Sequence, residues 1–446
     1  MKYPLTTLLA ILQQAEYDLT LWQAWVDTPR EANAMRTLTT LQPERWTLKL
    51  KIIRYVSKMF GIILSPKKAV PLAVFTLRAG ESVVTQILIT LASQKLQRLQ
   101  ARGLKVVAIA GSYGKTSVKH LTRHVLAHQW FTLMTPSSYN TPLGIALTIL
   151  KQLTDQHEIF LVELGEYQVG DIAAFLRWIQ PEYAILTPIG YAHGERFGNS
   201  TDIVKTFQPL IDSPFAPKVL LIDDQNRAHF PATKSNKIVW YGSDSGSEYQ
   251  VKAISSTLEG STEEITTPRL SKVSAEIRLL GHHQLNNALP AIALTTLFRG
   301  QSTTALQSLR YAPDVPRRLS LTKNLNGSIV IDNSYNTNPG AWQEIKIWID
   351  QVKLPHLALI TSGYVELDPQ TNDQDHRDLA RDLAERAQLV GVIASRYNQP
   401  LIDELQKRSV PLIIGSNLEK VLSSLAQQPV TIETLWLEGG MRELYQ

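Results

Sequence analysis

The hydrophobic rhythm of the chain changes near residue 104. Before it, LLAILQQAEYDLTLWQAWV and ESVVTQILITLASQKLQRLQARG repeat apolar residues every three to four positions, and the second run stops at a glycine. That period predicts amphipathic helices. After it, short continuous apolar runs alternate with turns and helical stretches: KVVAIAGS, EIFLVELG, YAILTPIG and KVLLIDD. Runs of this kind belong to strands covered on both faces, and so to a parallel sheet built from βα units. The polar stretch 243–274 reads as a small β excursion or a surface loop, and a helix is expected over Leu285–Phe298. Beyond the turn DVPRR a second strand series begins: SIVIDNS, HLALITSG, LVGVIAS, VPLIIGS and ETLWLEGG. The whole predicts an α/β protein with a mostly parallel central sheet, a Rossmann-like C-terminal domain and a helical N-terminal region. The expected division is 1–103, 104–315 and 316–446.

A chain of 446 residues is too long for one ordinary core, which agrees with several domains. With 44% hydrophobic and 19% charged residues it has the composition of a globular protein. The absence of cysteine excludes disulfides, thiolate metal sites and cysteine nucleophiles, and suits a reducing cytoplasm. The N-terminal stretch lacks a small-residue cleavage site, so no signal peptide is expected, and no apolar run reaches the roughly 20 residues that span a bilayer.

Charge is uneven. Residues 1–105 hold 15 of the 45 Lys and Arg but only 6 of the 40 Asp and Glu. There, WTLKLKIIRYVSKMFGIIL interleaves Lys49, Lys51, Arg54 and Lys58 with Ile52, Ile53, Val56 and Phe60. This pattern has two readings: a helix packed on the protein's own core, or an amphipathic helix lying on the inner face of a membrane. The expected location is cytoplasmic, with peripheral membrane contact as the second reading. No nucleic-acid module accompanies the charge, so no nucleic-acid partner is expected.

The chemistry concentrates in VVAIAGSYGKTS, residues 106–117, a strand and glycine turn that open the helix VKHLTRHVLAH. Backbone N–H groups of such a loop, with the helix N-terminus, hold phosphate oxygens, which makes Gly111, Ser112, Tyr113, Gly114, Lys115, Thr116 and Ser117 nucleotide-binding candidates. Lys115 would reach the terminal phosphates and Thr116 a magnesium ion. The strict motif is imperfect, since Ile109 stands where it has glycine. Phosphoryl transfer from ATP needs Mg2+ to neutralise charge, hence ligands at strand ends near the loop. Glu163 ends one apolar strand and His193 follows another; the plain alternatives are a helix-capping carboxylate and a loop histidine.

A glycine four residues before the Lys of GKTS resembles the phosphate loop of the Mur ligase family, and GSYGKTSVK is most similar to the D-alanyl-D-alanine-adding branch. Further segments resemble the family in order. They are TPSSYNTPLG with Asn140 and Thr141, ELG at Glu163, and AHGERFG with His193 and Glu195. Then come GHHQLNNALP with His283 and Asn287, RRLS with Arg318, DNSYNTNP with Asp332, Ser334, Tyr335 and Asn336, and SGYVEL with Gly363 and Glu366. The resemblance implies Lys115, Glu163 and His193 as catalytic residues, and Thr116, Glu163 and His193 as metal ligands. It implies Asn287, Arg318 and Asp332 as ATP contacts. For the substrate it implies Asn140, Thr141, Ser334, Tyr335 and Asn336.

Four departures stand out. Gln284 replaces an asparagine, Asp368 replaces a glycine, and the N-terminal region is shorter and more helical than the family's uridine-diphosphate-binding domain. The family's carbamylated lysine is also missing, with Lys205 the nearest substitute. The implied activity is an ATP- and Mg2+-dependent ligase that forms an amide bond through an acyl phosphate. It would join an amino acid or dipeptide to a peptidoglycan precursor peptide in cell-wall synthesis. Two alternatives stay open: a relative acting on a folylpolyglutamate or cyanophycin-type acceptor, and a non-catalytic nucleotide-binding protein of the cell envelope.

Overall fold

The computed structural model describes residues 66–136, 139–190, 200–230, 237–323, 328–335, 337–364, 371–395 and 397–441. The basic stretch 46–64, together with His193, Glu195, Asn336, Glu366 and Asp368, lies outside the described residues. The chain divides into two compact units, Met1–Thr90 and Leu91–Gln446. In the first, the described residues form one continuous helix that belongs to the element Pro66–Gln100. Among the described residues no helix is long and apolar enough to cross a membrane. In the second unit the end of this helix buries Leu96 and Leu99, and the Ser93 hydroxyl donates to the carbonyl of Trp178 at 2.9 Å.

The apolar runs form the strands that their continuity predicts. In chain order these are β1 (Lys105–Ala110), β2 (Thr132–Met134), β3 (Ile159–Glu163), β4 (Tyr183–Leu186), β5 (Val219–Asp223) and β6 (Lys237–Gly242). The polar stretch that followed is three further strands, β7 (Tyr249–Thr257), β8 (Gly260–Thr266) and β9 (Val273–Ile277). Together they make a nine-stranded sheet in the order β2-β3-β1-β4-β5-β6-β7-β8-β9. It is parallel as far as β7 and antiparallel from there to β9.

Strands β1 and β3 are buried almost throughout, because helices cover both faces. Strand β8 alternates instead, with every second side chain inside. The alternation is the mark of a half-solvated antiparallel ribbon and explains why its sequence carries no apolar run.

The second series gives β10 (Ser320–Lys323), β11 (Ile329–Asn333), β12 (Leu357–Thr361), β13 (Leu389–Ile393), β14 (Leu412–Gly415) and β15 (Thr434–Glu438). Their order is β10-β11-β15-β12-β13-β14, with β10 antiparallel at the edge and the rest parallel. Trp342, Trp348 and Trp436 pack at its core. In doubly wound sheets ligands gather at the carboxyl ends of the strands, and both β1 and β11 deliver their candidate residues there.

Candidate active site

The end of β1 turns into the helix Lys115–Leu126 through Gly111 and Gly114, at φ 131° and 78°. Only glycine adopts the first of these without strain. A Cβ on Gly111 would stand 2.2 Å from the Thr187 hydroxyl oxygen, and one on Gly114 would stand 2.8 Å from Oδ1 of Asn287. Both glycines therefore serve close approach. The N–H groups of Ser112 and Tyr113 donate to the carbonyl of Pro188 at 3.0 and 3.2 Å. In this structure they tie the loop to the segment after β4. What remains for an anion is the first helical turn, where the N–H groups of Lys115, Thr116 and Ser117 have no intrahelical acceptor by position.

Lys115 and Glu163 both sit where the sequence placed them, and each has an oppositely charged neighbour. The Lys115 ammonium pairs with Glu166 at 2.5 Å and also reaches the carbonyl of Gly111. The Glu163 carboxylate, 2% exposed at the end of β3, pairs with the fully buried Lys119 at 2.9 Å. The Thr116 hydroxyl lies 3.2 and 3.3 Å from its two oxygens. Asn140 donates to Glu163 at 3.4 Å, whereas Thr141 caps the helix Pro142–Lys151 by accepting from the Gly144 N–H at 3.2 Å. A hydroxyl and a carboxylate converging in this way suit a hard divalent cation, and Mg2+ commonly takes one or two protein oxygens and completes its shell with phosphate and water. Among the described residues no group of three or more His, Asp or Glu forms a cage that would bind a metal unaided. Lys205 is exposed and pairs with Asp202, so nothing places it near the Glu163 cluster.

A cavity of about 230 Å3 opens beside the loop. Its walls come from both sheets: Tyr113, Gly114 and Ser117 of the loop, Asn286 and Asn287 of the helix His282–Leu297, Arg318 of the connection, Asn333 at the end of β11, and Glu344. Burial, with Asp375 nearby, pushes the Tyr113 phenol well above its ordinary range, so it lines the cavity as a neutral aromatic. The Arg318 guanidinium stacks on the Tyr335 ring at 4.0 Å. Its backbone carbonyl accepts from the Gln284 amide at 2.9 Å, which gives that departure a role in fixing the connection.

Asp332 does not line the cavity; its Oδ1 accepts from the Ser334 N–H at 3.0 Å, and the neighbouring Asn333 takes the lining position. Asn333 is anchored in turn, donating to both oxygens of the buried Glu438 at 3.1 and 2.9 Å. Ser334 is buried, and its carbonyl accepts from Met441. His283 lines the cavity with its imidazole pushed down to about 4 by burial and by His282.

Behind the cavity, Asn286 donates to Asp223 at 2.8 Å, and burial pushes the Asp223 carboxyl up to about 7 from 3.8. Between roughly pH 4 and 7 the folded chain therefore keeps a proton that the unfolded chain has released. This group's contribution to stability falls as pH rises through that window. Glu438, also pushed up to about 7 by burial, acts in the same direction. Asp223→Asn should shrink the drop in denaturation midpoint between pH 5 and pH 8. The buried Oδ1 of Asn286 has no partner among the described residues, so a flip of that amide can accept from the new asparagine. An unchanged drop would mean that Asp223 titrates normally.

Sequence reasoning missed Glu166, Lys119, Asn286 with Asp223, and Asn333 with Glu438. One signal was legible: Lys119 lies three and four residues after Thr116 and Lys115, so it shares their helix face.

Comparison with known proteins gives the following. Residues 109–295 match the Mur ligase middle domain family. The UDP-N-acetylmuramoyl-tripeptide--D-alanyl-D-alanine ligase of Escherichia coli is 30% identical over 257 residues, which cover 56% of this chain and 55% of that protein. The enzyme of the same name from Bacillus subtilis is 29% identical over 245 residues, 54% of this chain and 52% of its own. The chain thus spans about half the length of the curated relatives it matches. The fold is that of the MurF ligase from Thermotoga maritima, solved in complex with ADP, with a TM-score of 0.70 at 21% identity over 81% of each chain.

Proposed function

From a chain whose residues 109–295 match the Mur ligase middle domain family, we propose an ATP-dependent ligase that adds D-alanyl-D-alanine to a muramyl-peptide precursor of peptidoglycan. One observation carries the reading. A single cavity is walled by the phosphate loop, by the Asn286–Asn287 helix turn and by Arg318 from the connection to the second sheet. ATP would lie there with its phosphates on the first turn of the helix Lys115–Leu126. Lys115 would hold the transferring phosphoryl group, where preorganised positive charge stabilises charge that spreads in the transition state. Thr116 and Glu163, with His193, would hold Mg2+, which supplies charge neutralisation to the phosphates. Asn140 keeps the Glu163 carboxylate oriented, and Arg318, stacked on Tyr335, would approach the nucleotide from the second sheet.

In the proposed reaction a peptide carboxylate oxygen attacks the γ-phosphorus, ADP leaves, and the amine of the dipeptide then displaces phosphate from the acyl carbon. Closure of the two sheets on the cavity would keep water from the acyl phosphate. Residues 1–103 and 104–315 would then serve as appendage and ATP-binding domain, with 316–446 closing the site. Peripheral membrane contact through the basic N-terminal region, in an otherwise cytoplasmic protein, belongs to the same proposal.

The reading is tested by phosphate release with UDP-muramyl-tripeptide and D-alanyl-D-alanine supplied together and separately. Release that needs both supports it. Release with a folate and free glutamate would favour the folylpolyglutamate-type alternative, and no release in any combination would favour a non-catalytic nucleotide binder.

A further inference from the structure

We propose that Glu166 and Lys119 are intramolecular competitors for the phosphate and the divalent cation, so that nucleotide and cation bind strongly together and weakly apart. The inference rests on the nucleotide reading of this site and concerns two residues which that reading does not use.

Lys115 and Lys119 stand four residues apart on one face of the same helix, and Glu163 and Glu166 stand three apart where β3 runs into its loop. They pair crosswise into a neutral quartet: Lys115 with Glu166 at 2.5 Å, and Lys119 with Glu163 at 2.9 Å. Glu166 is 3% exposed and Lys119 is fully buried, so water screens neither pair. A phosphate oxygen that takes Lys115 must draw it from Glu166 and then faces that carboxylate as a like charge. A cation that takes Glu163 must draw it from Lys119 and then faces that ammonium. Arriving together, phosphate and cation neutralise each other, and each relieves the repulsion the other meets. Coupling of this kind is reciprocal: the factor by which the cation tightens nucleotide binding is the factor by which nucleotide tightens cation binding.

The test uses the full chain, ADP titrated by calorimetry in EDTA and in saturating Mg2+, and Mn2+ binding followed by electron paramagnetic resonance with and without ADP. The wild type should bind ADP at least 100-fold more tightly with the cation, and Mn2+ should tighten by the same factor with ADP. Glu166→Gln keeps the size of the side chain and an acceptor for Lys115 but removes the charge. It should tighten ADP binding in EDTA at least tenfold and shrink the coupling factor accordingly. Lys119→Met should tighten Mn2+ binding without nucleotide by a similar factor; if that variant does not fold, the Glu166→Gln comparison decides alone. Equal or weaker ADP binding by Glu166→Gln in EDTA would overturn the proposal and leave Glu166 as a scaffold for the loop. Failure of ADP to bind under every condition would instead remove the nucleotide reading itself.

Discussion

Lys115→Ala is expected to lower ATP turnover about a thousandfold, the scale set by removing one preorganised charge donor from a transition state. The variant should not be structurally silent. Glu166 is 3% exposed, and breaking its ion pair with Lys115 removes a charged partner from a buried carboxylate, at a cost of about 3–5 kcal/mol. The two effects separate in a second variant. Lys115→Ala combined with Glu166→Gln should regain most of the lost thermal stability while turnover stays down. If turnover recovered along with stability, Lys115 would be a structural cation and not the phosphate ligand. Full activity in Lys115→Ala alone would remove the phosphate-loop assignment.

The second large effect is expected at Gly111. Alanine there meets the Thr187 hydroxyl at 2.2 Å and its carbonyl oxygen at 2.7 Å, on a backbone at φ 131°. Dihedral strain and overpacking each cost about 1–3 kcal/mol, and the loop must shift to relieve them. Gly111→Ala should therefore lower the thermal midpoint and weaken ADP binding about a hundredfold or more, since 2.7 kcal/mol corresponds to that factor. Gly103 supplies the control. It has φ 106° and nothing within 4 Å of a Cβ, so Gly103→Ala carries the dihedral cost without the collision. ADP affinity should be unchanged in Gly103→Ala; equal losses in both variants would mean that close approach to Thr187 does not shape the site.

The strands of both sheets were legible wherever burial on two faces forces an unbroken apolar run. KVVAIA, YAIL and VLLID became β1, β4 and β5, and LALIT, LVGVI and TLWLE became β12, β13 and β15. The antiparallel strands, with one face in solvent, were not. Strand β10 is SLTK, and β8 is GSTEEIT, whose alternation is carried by Ser261, Glu263 and Ile265 and so has almost no hydrophobic contrast. In the site, Lys115, Thr116 and Glu163 could be placed because phosphate chemistry dictates residue types at fixed positions on a strand and its following helix. Their counter-charges could not, apart from the helix face that Lys119 shares with Lys115. Glu166 and Lys119 are ordinary residues in sequence, and their meaning arises only when β3 lies beside β1 and brings the two carboxylates under the helix. That Asn333, next to the Asp332 of the sequence reading, lines the cavity has a similar reason. Buried Glu438, a hundred residues away, draws the asparagine into place and leaves the aspartate to its own turn.

Of the possible measurements, oxygen-isotope transfer bears most directly on the proposed activation of a carboxylate with ATP. The muramyl-tripeptide would be labelled with 18O in its reacting carboxylate and turned over with ATP, Mg2+ and D-alanyl-D-alanine. An acyl-phosphate route leaves one labelled oxygen in each phosphate released and one in the new amide carbonyl. Phosphate without label, or an unmodified tripeptide beside hydrolysed ATP, would contradict it.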